Sequence, residues 1–88
     1  MFQVKNLTKT GEYPYEKYTF EYHGKFFTGT CSNTPIQVAL LHGYRYQCDI
    51  YLNDQKLFTI YKRDSRESIG KFELYRHLRW YEKKYNKL

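Results

Sequence analysis

The stretch Tyr18-Thr19-Phe20-Glu21-Tyr22-His23-Gly24-Lys25-Phe26-Phe27-Thr28-Gly29-Thr30-Cys31 decides the fold class. Apolar and polar residues alternate up to Tyr22, and the alternation resumes after His23-Gly24, as expected of two half-buried strands joined by a tight turn. A two-residue turn sets Phe20 opposite Phe27 and Thr19 opposite Thr28. Tyr18, Phe20, Tyr22 and Phe27 then share one face, and Lys17, Thr19, Glu21, Thr28 and Thr30 share the other. One face is dry and the other wet, so the sheet must be covered on one side.

Downstream, Thr34 reads as a helix cap, Pro35 as the first helical position and Gly43 as the stop. The intervening Ile36, Val38, Ala39, Leu40 and Leu41 leave little polar surface, so this helix of about two turns is expected to lie across the dry face. Tyr44–Leu52 and Lys56–Lys62 read as a second strand pair around the polar turn Asn53-Asp54-Gln55, with Tyr46, Cys48, Ile50 and Leu52 sharing a face with Leu57, Thr59 and Tyr61. Upstream, Phe2–Leu7 reads as an added edge strand.

Asp64 with Glu67 fits a capping box, and Ser68 is an alternative cap, because Gly70 weakens the first turn. A helix is expected from Lys71 to about Asn86. At 100° per residue Leu74, Leu78, Tyr81 and Tyr85 form its core stripe. Arg76, Arg79, Lys83 and Lys87 gather on the other side with Phe72 and Trp80. The expected fold is α+β: a small single domain over residues 1–88, with an antiparallel sheet from two β-hairpins, a short helix between them and a C-terminal helix, ββαββα.

Composition agrees with a sheet. Aromatics make up 20% of the 88 residues, with eleven Tyr and six Phe beside the single Ala39, so large rings must fill the core. Abundant Lys, Tyr, Asn and Phe beside one Ala is also what AT-rich coding produces, which suggests a phage or mobile element of a low-GC bacterium. No run approaches the ~20 apolar residues of a membrane-spanning helix, and Met1-Phe2-Gln3-Val4-Lys5 lacks the layout of a signal peptide, so a cytoplasmic location without membrane association is expected. Cys31 and Cys48 are then expected to be buried free thiols in strands.

Charge is the feature that bears on function. From Lys56 onward there are ten Lys and Arg against four acids, whereas residues 1–55 hold five of each, so the net +6 is one local field. Such a field draws anions, of which nucleic acid is the most abundant large example. Lys62, Arg63 and Arg66 at the strand-to-helix junction, and Arg76, Arg79, Lys83, Lys84 and Lys87 along the helix, are the candidate binding residues, with Trp80 as a stacking ring. An equally weighted reading buries Trp80 against the small domain, and the same reasoning sends Phe72 to the core.

Other chemistry is poorly supported. His23, Cys31, His42 and Cys48 lack the spacing of a tight metal-ligand pair, and Gly24, Gly29, Gly43 and Gly70 form no phosphate loop, so neither metal nor cofactor is expected. No nucleophile-base constellation stands out, and His77 reads as a surface imidazole. The polar sheet face with Thr19, Thr28, Thr30, Lys17 and Tyr15 is a weak stacking platform. No stretch reproduces the sheet motifs of single-stranded-RNA binders, a KH loop or a helix-turn-helix.

The leading expectation is therefore a non-enzymatic protein that binds DNA or RNA with low sequence specificity through its C-terminal helix. The alternative is a phage or mobile-element protein that binds and inhibits or adapts a host nucleic-acid-processing protein, using the same Trp and Arg residues as an interface hot spot. An unpaired edge strand also allows a homodimer through a continued sheet.

Overall fold

The computed structural model describes residues 4–63 and 69–86. The possible caps Asp64, Glu67 and Ser68 lie outside them, as do Arg66 and Lys87. The elements are β1 (Lys5–Thr10), β2 (Lys17–Tyr22), β3 (Lys25–Asn33), α1 (Ile36–His42), β4 (Tyr46–Leu52), β5 (Gln55–Lys62) and α2 (Lys71–Tyr85). The strands form one antiparallel sheet in chain order, β1-β2-β3-β4-β5. This is the α+β architecture expected; the added edge strand β1 runs on to Thr10 instead of ending at Leu7, and Phe2 and Gln3 of the expected strand lie outside the described residues.

The β2–β3 hairpin has the register that its alternation dictates, Phe20 opposite Phe27 and Thr19 opposite Thr28. His23 and Gly24 both take positive φ, 52° and 74°, the backbone a two-residue turn of this hand requires. The Phe20 and Phe27 rings stack at 5.3 Å between centroids. Tyr18, Phe20, Tyr22 and Phe27 are buried, and Lys17, Thr19, Thr28 and Thr30 are exposed.

The β4–β5 hairpin departs from simple alternation. Asn53 and Asp54 form a two-residue turn with φ of 53° and 63°. Ile50 then pairs with Phe58 while Tyr51 pairs with Lys56, which leaves Leu57 as an extra bulged residue. Because side chains alternate, one inserted residue moves the rest of β5 to the other face. Phe58 and Ile60 therefore accompany Ile50 and Cys48 on the covered side. Thr59 and Tyr61, expected there, pair instead with Asp49 and Gln47 on the open side. Leu57 still packs partly against the core.

The covered face is closed by α2 and the segment leading into it, which contribute Ile69, Leu74, Leu78 and Tyr81 to the buried set. Gly70 occupies the N-cap in an extended conformation, and Asn86 ends the helix in the left-handed region. Tyr85, expected on the core stripe, is exposed at the last turn of α2, its ring tilted against that of Tyr81 with centroids 4.8 Å apart. Beneath the helix, Gly29 makes the close packing of β3 and β4 possible. A Cβ there would sit 3.0 Å from Cys48 Sγ and 3.2 Å from Ile50 Cδ1. Cys31 and Cys48 are directly opposed, buried and free.

The short helix α1 does not lie on the dry face. None of its residues is buried, and Ile36, Leu40 and Leu41 are 69%, 78% and 77% exposed. The physical reason is space. Seven residues bridging the end of β3 and the start of β4 remain at the sheet's end, and α2 has already filled the covered face. Its base is tied down by main-chain hydrogen bonds from Thr34 to Arg45 and from Arg45 to Lys62. Thr34 does not cap the helix, since its hydroxyl donates to the Tyr44 carbonyl at 2.6 Å and Pro35 occupies the N-cap. Gly43 ends α1 in the left-handed region, as its position implies.

Candidate functional site

Helix α2 carries the candidate surface, and its two acids explain how that surface stays cationic. Glu73 accepts a hydrogen bond from Lys62 at 3.0 Å. Glu82 accepts from the Tyr22 hydroxyl at 3.0 Å and lies 3.3 Å from His23 Nε2. Both carboxylates are thus engaged on the sheet side. Among the described residues, Arg63, Arg76, Arg79, Lys83 and Lys84 form no ion pair and are all exposed. Lys62 is different: its side chain is only 11% exposed and serves as the structural partner of Glu73.

The aromatic residues of α2 sit among these cations. Trp80 is 49% exposed, with the Lys84 ammonium 5.0 Å from its ring centroid and Tyr85 edge-on at 6.4 Å. Phe72, expected in the core, is 58% exposed, and the Arg76 guanidinium lies 5.9 Å from its ring. Its place on the wheel explains this, because Phe72 lies beside Arg76 and away from the Leu74–Leu78 stripe. Arg63 stands 5.0 Å over the Tyr44 ring, which in turn stacks on Tyr61 at 5.4 Å, so this cation belongs to the α1 end of the sheet.

Between α2 and the edge strand β5 runs a groove of about 810 Å³, lined by Phe58, Thr59, Tyr61, Arg76, His77 and Trp80. Only Arg76 and Trp80 of these were expected at a site. His77 is no free surface imidazole: its ring stacks on Phe58 at 6.2 Å and 14°, and Nδ1 donates to the Glu73 carbonyl at 2.9 Å, since a carbonyl can only accept. Phe58 and Tyr61 are legible in the sequence as aromatic residues of a strand, but its edge position and the bulge at Leu57, which decides the faces they take, are set by the tertiary pairing.

A second titratable cluster lies under β1 to β4. The buried Glu16 pairs with Lys9 at 2.8 Å and accepts a hydrogen bond from the Tyr46 hydroxyl. Burial pushes the Glu16 carboxyl up, but the bonds from Lys9 and Tyr46 outweigh this and hold it below the ordinary carboxylate range. A hydrogen bond with Cys31 and burial push the Cys48 thiol up, so it stays protonated. Burial, followed by the bond to Glu82, raises the Tyr22 phenol to about 12. Glu16, Tyr22, Tyr46, Cys31 and Cys48 are buried, whereas Lys9 reaches Glu16 from an exposed position. Among the described residues no three His, Cys, Asp or Glu side chains group to hold a metal ion, and no helix is long and apolar enough to cross a membrane. In comparisons with protein-family models, curated proteins and solved structures, nothing matches the chain.

Proposed function

We propose that the protein is a small, non-enzymatic nucleic-acid-binding protein that uses α2 as its contact surface. The observation that carries this reading is Trp80, half-exposed in a helix whose neighbouring Arg76, Arg79, Lys83 and Lys84 form no ion pair among the described residues. Cations of this kind contact phosphates without reading sequence, which fits binding of DNA or RNA with low specificity. Like charges kept together on one helix repel one another, so the clustering favours use by an anionic partner.

The test is fluorescence anisotropy of a labelled oligonucleotide with the whole chain across a salt series. Replacing Arg76, Arg79 and Lys83 together by Gln is expected to weaken binding and to lower the log-log salt slope by up to about three. Absence of binding to any nucleic acid at low salt rejects the proposal.

One observation favours the alternative that the chain binds a host nucleic-acid-processing protein. Ile36, Leu40 and Leu41 are all exposed on α1, and such apolar side chains suit a protein partner better than a phosphate backbone. An interface of that kind keeps much of its affinity in high salt, whereas phosphate binding loses it.

A further inference from the structure

The groove between β5 and α2 says more than the cations alone. We infer, resting on the nucleic-acid reading above, that this groove receives unpaired bases of a single strand, with Trp80 as the stacking surface and Arg76 and Lys84 holding the flanking phosphates. A convex basic helix can follow the backbone of a duplex equally well. A recess walled by rings cannot be filled by a duplex backbone, because the bases there are already stacked and hidden.

Three features point to a base as the occupant. The groove is open to solvent along its length and offers about 810 Å³, room enough for a base to lie against its floor without being enclosed. Four of its lining residues are rings, Phe58, Tyr61, His77 and Trp80: His77 lies nearly parallel to Phe58, and half of Trp80 is exposed. Among the described residues its one charged lining residue is the cation Arg76, Lys84 stands over the indole, and Glu73 is paired with Lys62. A neutral ring flanked by phosphates matches an aromatic floor with cationic margins.

The strand beside the groove adds hydrogen-bonding capacity. β5 is the last strand of the sheet, so its outer row of main-chain N–H and C=O groups has no neighbouring strand among the described residues. A row that alternates donors and acceptors can meet the edge of any base. This favours single-strand binding with little sequence preference, and the same groove accepts DNA or RNA.

Trp80 is the sole tryptophan, so its emission reports on the site directly. The whole chain is titrated at low salt with a 12-nucleotide thymidine strand, the matching uridine strand, a 12-base-pair duplex and an abasic strand of equal charge. Both base-bearing single strands are expected to quench Trp80 and to bind at least about tenfold more tightly than the abasic strand and the duplex. Quenching by only one of them assigns the groove to DNA or to RNA. By anisotropy of the labelled strands, Trp80→Ala is expected to cost about 5- to 150-fold on single strands and nothing on the duplex, with partial rescue by Trp80→Phe. Equal affinity for duplex and single strand without quenching, or an unaffected Trp80→Ala variant, overturns the inference while leaving nucleic-acid binding in place. No binding of any probe rejects the underlying reading and this inference with it.

Discussion

The Lys84 ammonium stands 5.0 Å from the centre of the Trp80 ring, one helical turn away on α2. An exposed cation–π contact of this kind contributes about 0.5–1 kcal/mol, enough to favour one indole orientation without fixing it. Lys84 is therefore both a candidate phosphate ligand and a neighbour that shapes the stacking ring. The two roles separate experimentally.

Lys84→Gln is expected to leave the denaturation midpoint nearly unchanged, within about 0.5 kcal/mol, because the side chain is exposed. The same variant should shift the Trp80 emission and lower the salt slope of oligonucleotide binding by about one. An unchanged emission spectrum would show that the cation and the indole do not meet in solution.

Two leucines that the sequence assigns alike to the interior are separated by the structure. Leu78 is buried on the sheet-facing side of α2, whereas Leu40 is exposed on α1. Leu78→Ala is expected to cost about 2–4 kcal/mol in a denaturant titration, against less than about 0.5 for Leu40→Ala. Comparable losses would mean that α1 packs on the sheet after all.

The β2–β3 hairpin was legible because alternation and the His23-Gly24 turn specify the same register independently. The span of α2 and its Leu74–Leu78–Tyr81 stripe were legible because their period matches the helix. The second hairpin misled because a bulge at Leu57 leaves no compositional mark, yet it reverses Thr59 and Tyr61. The apolar content of α1 implied burial, but which helix covers a sheet depends on competition for one face. The groove arises from how α2 sits against the edge of β5, a tertiary relationship that no local pattern encodes.

Gly29 offers a test of the packing between β3 and β4. Gly29→Ala places a methyl 3.0 Å from Cys48 Sγ and 3.2 Å from Ile50 Cδ1, both buried and unable to withdraw freely. Overpacking of this kind is expected to cost about 1–3 kcal/mol. The combination with Cys48→Ala, which removes the nearest atom, should recover part of that loss in a double-mutant cycle.

The two thiols provide a kinetic readout of the same region. Cys31 and Cys48 are buried, and Cys48 is held protonated, so labelling by a thiol reagent in native buffer should be slow and should accelerate on addition of denaturant. Rapid native labelling of both would place them at the surface, against the observed packing.

Acid stability should depend on Glu16. Its carboxyl is held below the ordinary value of 4.5 in the folded chain, so it binds protons less readily there than when unfolded. Its contribution is therefore fully present above about pH 4.5 and is lost as the pH falls through the lower folded value. Glu16→Gln keeps an acceptor for the Tyr46 hydroxyl but removes the charge that Lys9 pairs with. The variant should be less stable than the parent at neutral pH, with the gap closing on acidification. Glu16→Ala should cost about 1–3 kcal/mol because the buried Tyr46 hydroxyl then loses its partner. Thermal denaturation from pH 7 to pH 3 checks both expectations, and parallel curves for the parent and Glu16→Gln would show that the carboxylate charge does not stabilise the fold.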